Sequence, residues 1–209
     1  MAARVWGPEQ GEPVLCLHGW LDNAASFDRL APLLPGLRLV AVDLPGHGLS
    51  EHRPAPAAYD FVGWIVDVFD LAHALGWERF SILGHSLGGM IGLCAAGTLP
   101  LRILRAVSMD SLGPLTREAE QVPEALGEAL EQRHAYLTRA PRPLTDLQGA
   151  ARFMRVANPA LDQAAALTLA DRGTRSTPQG LVWRADPRLR TGSLLRLTEA
   201  QVQAFLGRV

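Results

Sequence analysis

The sequence predicts a doubly wound α/β fold, and three observations carry that reading. Short apolar runs without polar alternation recur through the first half, as strands buried on both faces of a parallel sheet do. Stretches with helical spacing separate them. The chain, at 209 residues and 48% hydrophobic, is long enough to bury one substantial core.

The elements follow in order. Arg4–Trp6 reads as an additional edge strand. Val14–Leu17 is a compact apolar run after Pro13 and ends at His18-Gly19. Ala24–Leu34 has helical spacing and is closed by Pro35-Gly36. Leu37–Val42 is the next run and ends at Asp43-Leu44-Pro45-Gly46. Phe61–Leu75 places Phe61, Ile65, Val68, Phe69 and Ala72 on one helical face before Gly76 stops it. Phe80–Leu83 leads at once into Gly84, Leu87–Leu99 is a small-residue helix closed by Pro100, and Ile103–Met109 ends at Asp110.

Beyond Leu115 the character changes. Three helix-like segments, Arg117–Leu137, Thr145–Ala157 and Leu161–Ala170, are joined by breaks at Pro141, Pro143 and Pro159, and none reads as followed by a strand. Residues 1–114 are therefore expected to form the N-terminal part of the core, 115–172 a helical cap, and 173–209 a return to the core. Thr198 and Gln201 have capping-box spacing, and Val202, Phe205, Leu206 and Val209 then fall at i, i+3, i+4 and i+7.

Composition excludes several chemistries. Twenty basic residues oppose twenty-one acidic ones, a balance that gives no electrostatic reason for a nucleic-acid or anionic-membrane partner. All twenty basic residues are arginine, so Ser–Lys dyads, Schiff-base lysines and P-loop lysines are absent from this sequence. Cys16 and Cys94 lie in apolar runs without metal-ligand spacing and read as buried free thiols. Asp43, His47 and His52 also lack ligand spacing, and no metal or cofactor is expected. The N-terminus shows no basic region followed by an apolar stretch, and no apolar run approaches the roughly 20 residues that span a bilayer. The expectation is a soluble, cytoplasmic protein acting on a small molecule, with its oligomeric state unread.

Gly84-His85-Ser86-Leu87-Gly88 fits G-x-S-x-G between an apolar run and a helix, the context of a nucleophile elbow. Ser86 would sit on a sharp strand-to-helix turn. Gly84 and Gly88 would leave room for the neighbouring backbone, and the helix N-terminus would place positive potential under developing negative charge. The Leu87 N–H is one candidate oxyanion donor. His18-Gly19-Trp20 follows the Val14–Leu17 strand, and the Trp20 N–H is the second. His85 reads as an elbow packing residue, and Asp43 and His47 as loop-stabilising residues. Asp110 is a candidate catalytic acid.

These segments resemble serine hydrolase-like proteins of the α/β-hydrolase superfamily. The resemblance lies in Val14–Leu30, Asp43–Ser50 and Ser81–Gly89, and more loosely in Arg172–Leu189. It implies a mostly parallel sheet with helices on both faces, a helical cap, and hydrolysis of a carboxylic ester or similar acyl substrate. It also implies two further strands after Val209, the second leading to the catalytic histidine, and often one strand before Arg4.

A serine needs a base within hydrogen-bond reach. In this fold the base follows the nucleophile in the chain, and only His134 does so here, at a mid-helix position. The sequence therefore reads as lacking its last strands and its catalytic histidine, with little turnover expected of these residues alone. A non-catalytic protein of the same fold that binds acyl-like ligands is the alternative. Haloalkane dehalogenases and epoxide hydrolases, which carry aspartate at the elbow, fit less well.

Overall fold

The computed structural model describes residues 1–137 and 143–209. Five strands form its main sheet: β1 (Ala3–Trp6), β2 (Glu12–Leu17), β3 (Leu37–Val42), β4 (Phe80–His85) and β5 (Ile103–Met109), in the spatial order β1-β3-β2-β4-β5. β2 to β5 are mutually parallel, and β1 runs antiparallel to β3 with Ala3 opposite Val42. The continuous apolar runs have their physical cause here. Leu15, Leu17, Val40 and Val42 pack into one core, and Val14, Cys16, Leu39 and Ala41 into another on the opposite face. Because successive side chains alternate faces, strands covered on both sides show no polar alternation.

Helices α1 (Phe61–Ala74) and α2 (Leu87–Thr98) close the first of these cores. α1 starts where the Asp60 carboxylate accepts the Gly63 N–H at 2.7 Å, and it buries Trp64, Ile65, Val68 and Ala72. Phe61 and Phe69 of the predicted face pack at its margin. α2 is built from small residues because its backbone lies close to its neighbours. Cys16 and Cys94 are buried and unpaired, as expected, and burial pushes their thiols up to about 12 and about 11.

Two local readings are corrected. The helix predicted over Ala24–Leu34 is instead a pair of 3-10 turns, Ala24–Phe27 and Ala31–Leu33. Asp43 Oδ1 takes the Ala24 N–H at 2.7 Å and Asn23 Oδ1 takes the Ala25 N–H at 3.1 Å, while Pro32 has no N–H to continue a helical ladder.

The second correction lies further on. After α3 (Val122–Leu137) and α4 (Leu147–Ala157), helix α5 (Gln163–Gly173) runs directly into a hairpin, β6 (Thr174–Thr177) and β7 (Gly180–Trp183). The polar strand Thr174–Thr177 gives no apolar signal. The hairpin is fixed by its turn, where Thr177 Oγ1 donates to the Gly180 carbonyl at 2.7 Å. The break expected at Pro141 lies outside the described residues.

α6 (Glu199–Leu206) opens with the predicted capping box between Thr198 and Gln201. It lies so close to α2 that a methyl group on Gly97 would overlap the Phe205 carbonyl. Val202 is buried, whereas Val209, expected on the same face, is 62% exposed. Among the described residues, no helix is long and apolar enough to cross a membrane.

Candidate active site

The β4–α2 junction concentrates the tightest backbone packing in the site. Ser86 sits at the turn with φ 49° and ψ −114°, left-handed geometry that a non-glycine residue rarely adopts. Its N–H donates to the Met109 carbonyl at 2.8 Å, and its carbonyl accepts the Ser111 hydroxyl at 2.9 Å. The end of β5 therefore braces the turn.

The surrounding glycines are required by space. A methyl group on Gly84 would overlap the Gly88 backbone, one on Gly88 would overlap the Leu17 carbonyl, and one on Gly89 would meet the Ser108 and Ser111 hydroxyls. Ser108 and Ser111 are bonded to each other at 2.9 Å. No spacing rule pointed to this pair.

The loop after β2 faces the elbow. His18 is fully buried. Its Nε2 accepts the Leu44 N–H at 3.0 Å, so Nδ1 carries the proton and donates to the Gly19 carbonyl at 2.7 Å. Burial pushes this imidazole down to about 4, so it is a neutral brace. Gly19 is buried and lies against both Asp22 and His85, leaving no room for a side chain. Asp22 N–H closes a turn on the Gly19 carbonyl at 3.1 Å, with Leu21 at φ 63°. Among the described residues, neither the Leu87 N–H nor the Trp20 N–H has a hydrogen-bond acceptor. The Trp20 side chain is half exposed, and its indole N–H donates to the Leu189 carbonyl at 3.0 Å.

The remaining sequence-selected residues fall around this centre. His85 is not simply packed. Partly exposed, it faces Asp22 across 3.7 Å, and burial raises the Asp22 carboxyl above its usual range. Asp43 is fully buried and accepts the Ala24 and Leu49 N–H groups, both at 2.7 Å, while Arg172 pairs with it at 2.9 Å. His47 is buried edge-on against His18, and desolvation drives it down to about 3. Asp110 is exposed at the end of β5 with φ 63°.

No histidine among the described residues hydrogen-bonds the Ser86 hydroxyl. His52 lies on Asp186, at 3.3 Å, and His134 is exposed on α3. No group of three or more metal-ligating side chains occurs among the described residues.

Ser86, Leu87 and Met90 open onto a cavity of about 720 Å³ that is also lined by Trp20, Trp64 and Leu189. The turn Pro187–Arg190 that roofs it is pinned by a buried pair, Asp186 and Arg188, at 2.7 Å, with the Tyr59 hydroxyl donating to Asp186 at 2.8 Å. Burial alone would raise the Asp186 carboxyl. The Arg188 guanidinium and the Tyr59 hydroxyl outweigh it and hold the group below its usual range.

The family described as alpha/beta hydrolase fold matches residues 12–186, most of the chain. The chain belongs to the α/β-hydrolase fold family. A serine hydrolase-like protein of Dictyostelium discoideum is 36% identical over 100% of this chain and 60% of its own length. The chain thus spans about three fifths of that curated relative. The crystal structure of a hypothetical protein from Pseudomonas aeruginosa PAO1 is 45% identical and superposes with a TM-score of 0.95, covering 99% of this chain and 73% of that one. The thioesterase domain from the curacin biosynthetic pathway is 26% identical with a TM-score of 0.83, over 98% of this chain and 74% of that domain. The mostly parallel sheet with flanking helices is thus the α/β-hydrolase architecture that the sequence resemblance implied.

Proposed function

We propose that this chain carries the nucleophile half of a serine hydrolase that cleaves a carboxylic ester or a similar acyl compound. The observation that carries the reading is the left-handed Ser86 at the strand–helix turn, opening onto a largely apolar cavity. The serine hydrolase-like and thioesterase names of its relatives support acyl chemistry.

In this reading Ser86 Oγ attacks the acyl carbon while the Leu87 and Trp20 N–H groups hold the oxyanion. The serine proton passes to a base and on to the departing alcohol or thiol, and water then releases the acid. Asp110, exposed at the end of β5, is the candidate acid. Residues 115–172 act as a cap over the core formed by 1–114 and 173–209. In this reading the base comes from outside these residues: both ring nitrogens of the buried His18 are already hydrogen-bonded, His47 is enclosed against it, and His134 is exposed on α3. Without a triad member, about 10³–10⁴-fold catalysis over water remains.

The test is labelling by a fluorophosphonate probe of the 209-residue chain, its Ser86→Ala variant, and a version carrying whatever coding sequence continues past Val209. Ser86-dependent labelling confined to the longer version is the expected result. Ser86-dependent labelling of the short chain would place a base within these residues, with His134 or His47 the first suspects. Labelling of neither would favour the non-catalytic binding protein.

A further inference from the structure

Among the described residues, two cavities border the elbow. The first, of about 720 Å³, contains Ser86, Leu87 and Met90. The second, of about 660 Å³, begins on the other side of the same strand ends, at His85 and Met109, and runs under α4 and α5 past Phe153, Met154 and Trp183. Trp20 and Arg190 line both. Trp20 and Arg190 therefore stand at the boundary between the chambers, with the Trp20 indole held by its bond to the Leu189 carbonyl on a turn that the Asp186–Arg188 pair fixes. A floppy surface tryptophan could not divide a cleft; one tied through its indole can.

We propose that the substrate is an ester or thioester with a sizeable apolar group on each side of its carbonyl, the acyl group in the Ser86 chamber and the leaving group across Trp20. The assignment of sides rests on Ser86 being the nucleophile. When Ser86 Oγ bonds to the acyl carbon, the bond to the leaving oxygen or sulfur breaks and the serine proton departs with the alcohol or thiol. Only the acyl group remains tethered to Ser86, so it must fit the chamber that Ser86 lines.

That chamber offers Trp64, Met90 and Leu115. The second chamber is apolar as well, with Phe153 against Trp183 at 5.8 Å between ring centres. Of its charged residues, Asp28 and Arg29 pair with Arg4 and Asp162, Asp22 faces His85, and Arg190 stands at the boundary with the first chamber. Neither chamber is a polar channel, and each has the volume of a small-molecule site.

The experiment measures binding without turnover, by titration calorimetry on the Ser86→Ala chain. One ligand series lengthens the acyl side (ethyl esters of straight-chain acids). The other lengthens the alcohol side (straight-chain alkyl acetates). Each added methylene should strengthen binding about two- to fourfold in both series until the chamber is full.

Met90→Trp, which narrows the first chamber, should abolish the chain-length dependence of the acyl series and spare that of the acetates. Thr168→Trp, which narrows the second, should do the reverse. Leu115→Trp and Asn158→Trp, at the rims of the same two chambers, repeat the comparison if either helix substitution unfolds the chain. Loss of both series together in either variant, unchanged series in both, or no binding by either series overturns the proposal. Opposite assignment, with Met90→Trp acting on the acetates, overturns the assignment of sides. Failure of Ser86 as nucleophile is read separately, from the fluorophosphonate experiment.

Discussion

The elbow and the layer above it are held by different physics. Around Ser86 the chain is fixed by backbone-to-backbone proximity: Gly84 on Gly88, Gly88 on Leu17, Gly97 on Phe205. Residues beyond about 115 add polar contacts of long sequence separation to their apolar packing. Asn23 Nδ2 donates to the Leu169 carbonyl at 2.9 Å, Arg172 reaches Asp43, and Asp186 N–H donates to the Gly46 carbonyl at 2.9 Å. Around Ser86 no atom can be added at Gly84 or Gly88. Further on, the fold depends on keeping its charge partners.

That contrast is sharpest at glycine. Gly88→Ala forces a methyl group into the Leu17 carbonyl and should cost at least about 3 kcal/mol in urea unfolding, or prevent folding outright. A native-like midpoint would mean that β2 and α2 are not in backbone contact.

In the upper layer the largest effect belongs to Arg172→Ala. It strips the ion-pair partner from a fully buried Asp43, which keeps its two amide donors, and should destabilise by about 3 kcal/mol. A change indistinguishable from that of an exposed arginine would show that the two layers are not coupled through this pair.

The buried imidazoles set a pH dependence shared by both regions. In the unfolded chain His18 and His47 take up protons below about pH 6.5, but in the folded protein burial lowers them to about 4 and about 3. Protonation therefore favours unfolding. Stability should fall as pH drops from about 6.5 toward 4, by up to about 1.4 kcal/mol per pH unit for each group. Urea midpoints across that window test this, and His47→Phe should make the slope shallower.

The smallest effect has the opposite sign. Gly127 lies within α3 with nothing near the position of a side chain, so Gly127→Ala should stabilise by about 0.5–1 kcal/mol. Destabilisation instead would mean that α3 packs against something at that point.

The same division explains what could be read from sequence. Small residues forced by close approach leave a fixed local spacing, so Gly84, Ser86 and Gly88 announced the turn. Strands covered on both faces are continuous apolar runs, which placed β3 at its observed limits, and the apolar run Ile103–Met109 did the same for β5. Trp20 as a wall, Ser111 as a brace and Arg172 as the partner of Asp43 had no such signature. The last pair is 129 residues apart, and nothing local marks either end. The β6–β7 hairpin was missed because Thr174–Thr177 is polar, and the helix expected over Ala24–Leu34 is broken where Pro32 has no N–H to continue a ladder.

Three non-glycine residues among those described, Leu21, Ser86 and Asp110, have left-handed backbones, and all three follow strands at the same end of the sheet. Each such conformation costs on the order of 1–3 kcal/mol. A library selected only for heat tolerance should therefore collect Leu21→Gly, Ser86→Gly and Asp110→Gly, and a library selected for turnover should reject them. The geography of marginal stability in this protein would then coincide with the geography of its chemistry, and comparing the two selections would draw the map.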